Sequence, residues 1–169
     1  MGPREKVNNN AVTAYLDGLK MLAQRELSEA QVRQRLARRG HDADAIDVAV
    51  ARLREERAID DERTAEAIAR TQTSIRRRGK LRVRRQIENA GIAASTARRA
   101  IDEVFANVDA DALLQASLAK RLRGRETIAD DAEFRRLYRY LVGQGFDVDQ
   151  VMKALTARRR PGSPDDHRE

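Results

Sequence analysis

The chain has 169 residues, of which 36% are charged, 41% hydrophobic and only 4% aromatic, and its net charge is +7. So few large rings exclude a thick aromatic core and leave Leu, Ile, Val and Ala stripes on helices to supply burial in thin layers. The lack of cysteine excludes disulfides and thiolate zinc sites, and no apolar run is long enough to span a bilayer.

Residues 1–10, MGPREKVNNN, contain no apolar stretch of the signal-peptide kind and read as a flexible N-terminus, so the expected location is the cytoplasm. A helix is predicted over Val12–Arg25, followed by Ser28 capping EAQVRQRL up to Gly40 and by Asp42 capping ADAIDVAVARL; together these form a unit over 11–58. A second unit over 59–108 reads as a helix from Asp61 to Arg78, a turn at Gly79, a helix ending at Gly91, and a helix with Ser95 ahead of TARRAIDEV. The third, over 109–160, has a helix from Ala110 to Arg123, one ending at Gly145, and one capped by Asp147 ahead of VDQVMKAL. From Pro161 the segment PGSPDDHRE reads as a flexible tail.

The three units share one register. Leu36, Ile87 and Leu141 stand four residues before Gly40, Gly91 and Gly145, and Val32, Val83 and Leu137 stand eight before. Beyond each glycine, Ile46, Ala97 and Val151 follow at six, Ala49, Ala100 and Ala154 at nine, and Val50, Ile101 and Leu155 at ten. Those spacings place one apolar stripe on each of two helices, and the glycine provides the left-handed residue that ends the first. The β-branched residues fall at helical spacing, so no strand is predicted. The expected fold is all-α, three tandem three-helix, helix-turn-helix-like repeats in an elongated, curved array whose units contact mainly their neighbours.

Charge is concentrated in the middle unit, where residues 61–108 carry 11 basic against 6 acidic side chains, while the flanking segments each carry an excess of one. Its densest stretch is RRRGKLRVRR, in which Arg76, Arg77, Arg78, Lys80, Arg82, Arg84 and Arg85 occur without an acid. With Val83 and Ile87 facing the core, Arg82 and Arg85 are predicted to point outward together, three residues apart. A solvated face satisfying a helix C-terminus accounts for part of this run, but the local, uncompensated excess favours a cationic surface for phosphates or acidic side chains. Arg33, Arg35, Arg38 and Arg39 are offset by nearby acids and read as a solvated face. Tyr138 shares its repeat position with Arg33 and Arg84, which predicts exposure and a contact to a nucleobase or a partner groove, whereas Tyr140 and Phe146 are predicted to pack.

Catalysis is not expected. Of two histidines, His41 occupies the place of Ile92 and Phe146 and reads as a packing or turn residue, while His167 lies in the tail. No phosphate loop or His/Cys metal spacing is present, and Asp60–Asp61 and Asp130–Asp131 sit at predicted helix starts, where capping accounts for them. No cofactor is expected.

The stretches ARRGHDADAIDVAVARLREE, IDDERTAEAIARTQTSIRRRGKLRVRRQIENAGI and FRRLYRYLVGQGFDVDQVMKAL make the chain resemble the RecX family of recombination regulators over residues 12–158. The second repeat is the most specific, with Asp60, Asp61 and Arg63 before a helix, the basic turn at Gly79, and Gly91–Ile92; Tyr140–Leu141 before Gly145–Phe146, and Leu22, Arg25 and Ser28, add to it. Thr64 stands where the family commonly has an aromatic residue, and Leu81 where it commonly has a Gly-Pro turn. The resemblance implies a monomeric partner of the RecA recombinase filament that restrains strand exchange and ATP hydrolysis, with weaker, electrostatic contact to single- and double-stranded DNA and no membrane association. The alternative reading is a direct DNA-binding regulator of helix-turn-helix type, with Arg82 or Arg85 reaching base edges in a groove.

Overall fold

The computed structural model describes residues 3–159, with side chains from Asn9 onward. Among these residues the protein is all-α, in three consecutive sets of three helices. The first set is α1 (Pro3–Gln24), α2 (Glu29–Arg38) and α3 (Ala43–Glu55). The second is α4 (Asp61–Arg70), which runs into a π-helical turn (Thr71–Ile75), then α5 (Lys80–Asn89) and α6 (Ala94–Phe105). The third is α7 (Ala110–Leu122), α8 (Asp131–Gly143) and α9 (Val148–Thr156). An isolated parallel bridge between Ile128 and Arg159 is the one β-type pairing among the described residues. The tail from Pro161, with His167, lies outside them.

Side-chain caps fix most helix starts. Ser28 forms a capping box with Gln31, while Asp42, Asp109, Asp130 and Asp147 each accept a backbone N–H two or three residues ahead. Asp60 does the same for the Arg63 N–H at 2.9 Å, so the paired aspartates at 60–61 and 130–131 include caps. Three sequence-based boundaries need correction. The first helix starts at Pro3 rather than Val12, because proline at a first helical position gives up no needed donor. Ser95 is not a cap: Ala97 donates to the Ala93 carbonyl, so α6 begins one residue ahead of it. The helix expected to run unbroken to Arg78 leaves α-geometry after Arg70; the Arg76 N–H reaches back five residues to Thr71, and Thr73 is buried with its hydroxyl unpartnered.

Contacts divide the chain into two compact units, one holding residues up to Ile68 with Gln86–Ala100, the other Ala69–Arg85 with Ile101 onward. In the first, α1, α2 and α3 enclose Val32, Leu36, Val50 and Leu53, all without solvent contact. Gly18 permits this packing, since a methyl group there would lie 2.7 Å from Leu53 Cδ1. His41 is packed as expected for its position: its ring lies between Asn10 Oδ1 at 3.2 Å and Asp17 Oδ2 at 3.1 Å. That hydrogen bond, with Arg39 alongside, holds the Asp17 carboxyl below its ordinary range. Arg63 reaches Glu26 through Nε at 2.8 Å and the carbonyls of Arg57 and Ala58, and Asp61 accepts from the Glu29 N–H at 2.9 Å. Thr64 is buried without an aromatic ring because its hydroxyl donates to the Asp60 carbonyl at 2.9 Å.

In the second unit, Leu114, Leu118, Leu122, Leu137, Leu141 and Leu155 form the interior with Phe146. Glu133 is the one charged residue buried among the described residues. It pairs with Arg125 and accepts the Ala129 N–H at 2.8 Å, contacts that hold its carboxyl at about 2.

The turn glycines do more than end helices. In the first unit the Ser28 hydroxyl donates to the Ala90 carbonyl, and a methyl on Gly91 would collide with the Ala30 side chain. In the second unit the Gly79 N–H donates to Gln144 O at 3.0 Å and the Leu81 N–H to Gly145 O at 3.2 Å, while a methyl on Gly145 would collide with the Arg82 backbone. Ser28 and Gly79 each precede their own turn glycine by twelve residues. The same joint is therefore made twice: the glycine turn of one repeat seats on the start of the second helix of the repeat before it.

Gly40 has φ +88° with nothing near its absent Cβ, so Gly40→Ala carries only the left-handed backbone penalty of about 1–2 kcal/mol. Gly145→Ala adds a backbone collision and is expected to lower the urea midpoint by clearly more. For Glu133, a carboxyl depressed in the folded state contributes stability that is present above its ordinary value of 4.5 and is lost as pH falls toward about 2. Glu133→Gln is expected to lower stability at neutral pH and to flatten the acid limb of the stability profile, read as urea midpoints across that range.

Candidate interaction surface

The basic run begins where α4 widens into its π turn. Arg76 closes that turn, and Arg77 takes a left-handed conformation at φ 54°, a strain of about 1–3 kcal/mol that the surroundings must hold. The hydroxyl of Ser117 donates to the Arg77 carbonyl at 3.2 Å, and Gly79 is pinned on the Gly145 turn. The segment is therefore fixed at both ends. From there α5 buries Val83 and Ile87 and turns its other faces outward.

The seven cations do not share one role. Arg76, Arg77, Lys80, Arg84 and Arg85 are exposed, whereas Arg78 and Arg82 are half-buried. Arg82, expected to point outward beside Arg85, instead donates through Nη1 to the Gly143 carbonyl at 2.7 Å. The start of α5 is occupied by the Gly145 turn, so the helix-ending carbonyls of α8 are the nearest acceptors for that guanidinium. Arg78 donates to Gln72 Oε1 at 2.6 Å. Burial, followed by the charges of Arg82 and Arg76, pushes the Arg78 guanidinium below its ordinary range. Lys80 holds its ammonium 5.4 Å from the centre of the buried Phe105 ring.

Two apolar side chains that charge-based reading passed over belong to the same surface. Ile75 is 73% exposed at the end of the π turn, and Leu81 is 48% exposed. The signal for Leu81 was its departure from a Gly-Pro turn; the exposure of Ile75 follows from the π turn, which has no separate sequence signal. Tyr138 is half-buried against the third-repeat core and lines a shallow hollow of about 290 Å³ with Phe134 and Met152. No hydrogen bond or ion pair links it to the basic segment among the described residues. Phe146 packs as expected, and Tyr140 is half-buried.

The family model described as the first three-helix domain of RecX matches residues 14–53. The regulatory protein RecX of Halorhodospira halophila is 34% identical over 140 residues, covering 82% of this chain and 84% of that protein. That of Syntrophotalea carbinolica is 32% identical and covers 79% of this chain and 88% of its own. Among solved structures, RecX from Lactobacillus salivarius superimposes with a TM-score of 0.69 at 17% identity, covering 89% of this chain and 97% of that one. A second crystal structure of a regulatory protein RecX gives 0.74 at 19% identity, covering 90% and 74%. No helix among the described residues is long and apolar enough to cross a membrane.

Arg82 and Arg85 are expected to separate on substitution. Arg82→Ala should cost on the order of 1 kcal/mol by removing its hydrogen bond to Gly143, whereas Arg85→Ala should leave the urea midpoint within about 0.5 kcal/mol of the parent.

Proposed function

The chain belongs to the RecX family of regulatory proteins, and on that premise we propose that it binds the RecA nucleoprotein filament as a monomer in the cytoplasm and restrains recombinase activity. It occupies the filament groove, obstructs incoming duplex DNA and slows the cycling of protomers, so that strand exchange and ATP hydrolysis fall. It performs no chemistry of its own. Contacts spread over several repeats give avidity without one tight site.

The observation that carries this reading is the composition of the surface around Gly79. Exposed Arg76, Arg77, Lys80 and Arg85 surround exposed Ile75 and Leu81. Guanidinium forks with apolar contacts between them match an acidic protein groove better than phosphates alone, which offer nothing to an isoleucine. The crowding that depresses Arg78 is relieved when an anion arrives. A π turn and a left-handed arginine fix the segment in advance, which lowers the ordering cost of binding. Contact with DNA, single- or double-stranded, is the weaker, electrostatic part of the interaction. The direct DNA-binding alternative has less support, because Arg82 is already engaged at the α8 end.

The test is RecA's DNA-dependent ATP hydrolysis titrated with the protein and with Arg76→Glu/Arg77→Glu/Arg85→Glu, which leaves Arg82 in place. Inhibition by the parent well below one molecule per recombinase subunit, and a rise of roughly tenfold or more in the concentration needed by the variant, are expected. Equal potency of the two removes the basic segment from the mechanism. Inhibition by neither removes the filament reading.

A further inference from the structure

A second cationic surface lies in the third repeat, away from the segment that composition singled out. An open cleft of about 800 Å³ runs between the C-terminal end of α7 and the outer face of α8. Lys120, Arg121, Arg123, Arg125 and Arg136 line it, against Glu133 as the one acid in the wall. Glu133 is already committed to Arg125. Lys120, Arg123 and Arg136 are exposed and make no ion pair or hydrogen bond among the described residues. Cations at the end of α7 answer the helix dipole in part, but that accounts for one or two charges and not for a cleft walled with them.

Repeat register shows why these side chains are available. Arg136 and Arg82 each stand nine residues before their turn glycine. Arg82 is engaged by the Gly143 carbonyl of the following repeat, while Arg136 meets no such carbonyl. At the position held by Ser28 and Gly79 in the two joints stands Glu133, and its N–H is satisfied by Asp130 at 2.7 Å. The backbone donors that receive a glycine turn in the joints are thus closed off in the third repeat, and guanidinium groups stand there instead.

The cleft also contains a platform. Arg121 stacks on the Tyr140 ring with its guanidinium carbon 3.9 Å from the ring centre. Arg121 is exposed, so the outer face of the guanidinium plane is open to the cleft. Arg35 and Gln86 hold the equivalent of Tyr140 in the other repeats, so the ring beneath that plane occurs once in the register. An acidic peptide has no use for a flat cationic plane backed by an aromatic ring, whereas an unstacked base lies on one, with phosphates reaching cations on either side.

From these observations we infer that the cleft between α7 and α8 is a binding site for single-stranded nucleic acid. A base stacks on Arg121 over Tyr140, and Lys120, Arg123 and Arg136 hold neighbouring phosphates. This site is separate from the Gly79 surface and does not require the recombinase. A duplex, whose bases are stacked and paired, engages only the phosphate-binding cations.

The experiment measures fluorescence anisotropy of a labelled oligothymidylate, a duplex of equal length and inorganic polyphosphate across a salt series, with no recombinase present. The parent is expected to bind the single strand more tightly than the duplex. Arg121→Lys keeps the charge and removes the plane, so it should weaken oligothymidylate binding several-fold and leave polyphosphate binding unchanged. Lys120→Glu/Arg123→Glu/Arg136→Glu should lower the slope of log affinity against log salt by about 2, from roughly 0.7 for each phosphate that the variant leaves unneutralised. Circular dichroism melts matching the parent's establish that the variants are folded. Arg84→Glu/Arg85→Glu, on the Gly79 surface, serves as the control and should spare the Arg121-dependent preference for single strands. Unchanged oligothymidylate binding by the triple variant overturns the assignment. A parent that ignores the oligothymidylate but binds labelled polyglutamate through the same three residues overturns it in favour of an acidic protein partner.

Discussion

The joint between a glycine turn and the start of a preceding helix is the constraint on which the rest of the structure depends. It brings two backbones together without side chains between them, Gly79 against Gln144 and Gly145 in one unit and Ser28 against Ala90 and Gly91 in the other. Helix starts carry unsatisfied N–H groups and helix ends carry unsatisfied carbonyls, so seating one on the other satisfies both at once. A side chain beyond Cα at the contact would hold them apart. That is why the turn glycine serves two purposes, the left-handed conformation that ends its helix and the close approach that docks it.

The same joint distributes the charge. Arg82 begins in the same outward register as Arg85, but docking places the end of α8 beside it and converts it from a surface cation to a helix-end donor. Arg136 occupies the same register position without such a carbonyl and remains a surface cation. One repeat position therefore gives a structural arginine in one place and an available one in another, and the sequence letters at the two sites are identical. Arg78 falls between these cases, half-buried and crowded by like charges, with Gln72 as its hydrogen-bond partner.

Both cationic surfaces belong to a fold whose cores are small and aliphatic. Val32, Leu36, Val50 and Leu53 close one interior, and Leu114, Leu118, Leu137 and Leu141 close the other. Thin layers of this kind leave much of each helix outside, which suits a protein that works by contact over an extended surface rather than by enclosing a small molecule. Polar groups that do enter are satisfied locally, as with Glu133 by Arg125 and the Ala129 N–H, and Thr64 by the Asp60 carbonyl. The Thr73 hydroxyl, in the π turn next to the basic segment, is the buried side-chain polar atom left unpartnered among the described residues.

Amino-acid order by itself determined the helices, their grouping in threes and their stripes, because a period of 3.6 and a left-handed stop at glycine are local properties of the chain. It identified the caps at Ser28, Asp42 and Asp147 for the same reason, and the basic run from Arg76 to Arg85, since charge density survives folding. Only the tertiary structure decided which cations remain available, because that depends on whose carbonyls arrive beside them: those of α8 for Arg82, none for Arg136. It likewise decided that α4 widens before Arg76 and leaves Ile75 exposed, and that Arg121 lies flat on Tyr140. These outcomes join residues distant in sequence or depend on how a helix end is held, and neither leaves a periodic trace in the chain.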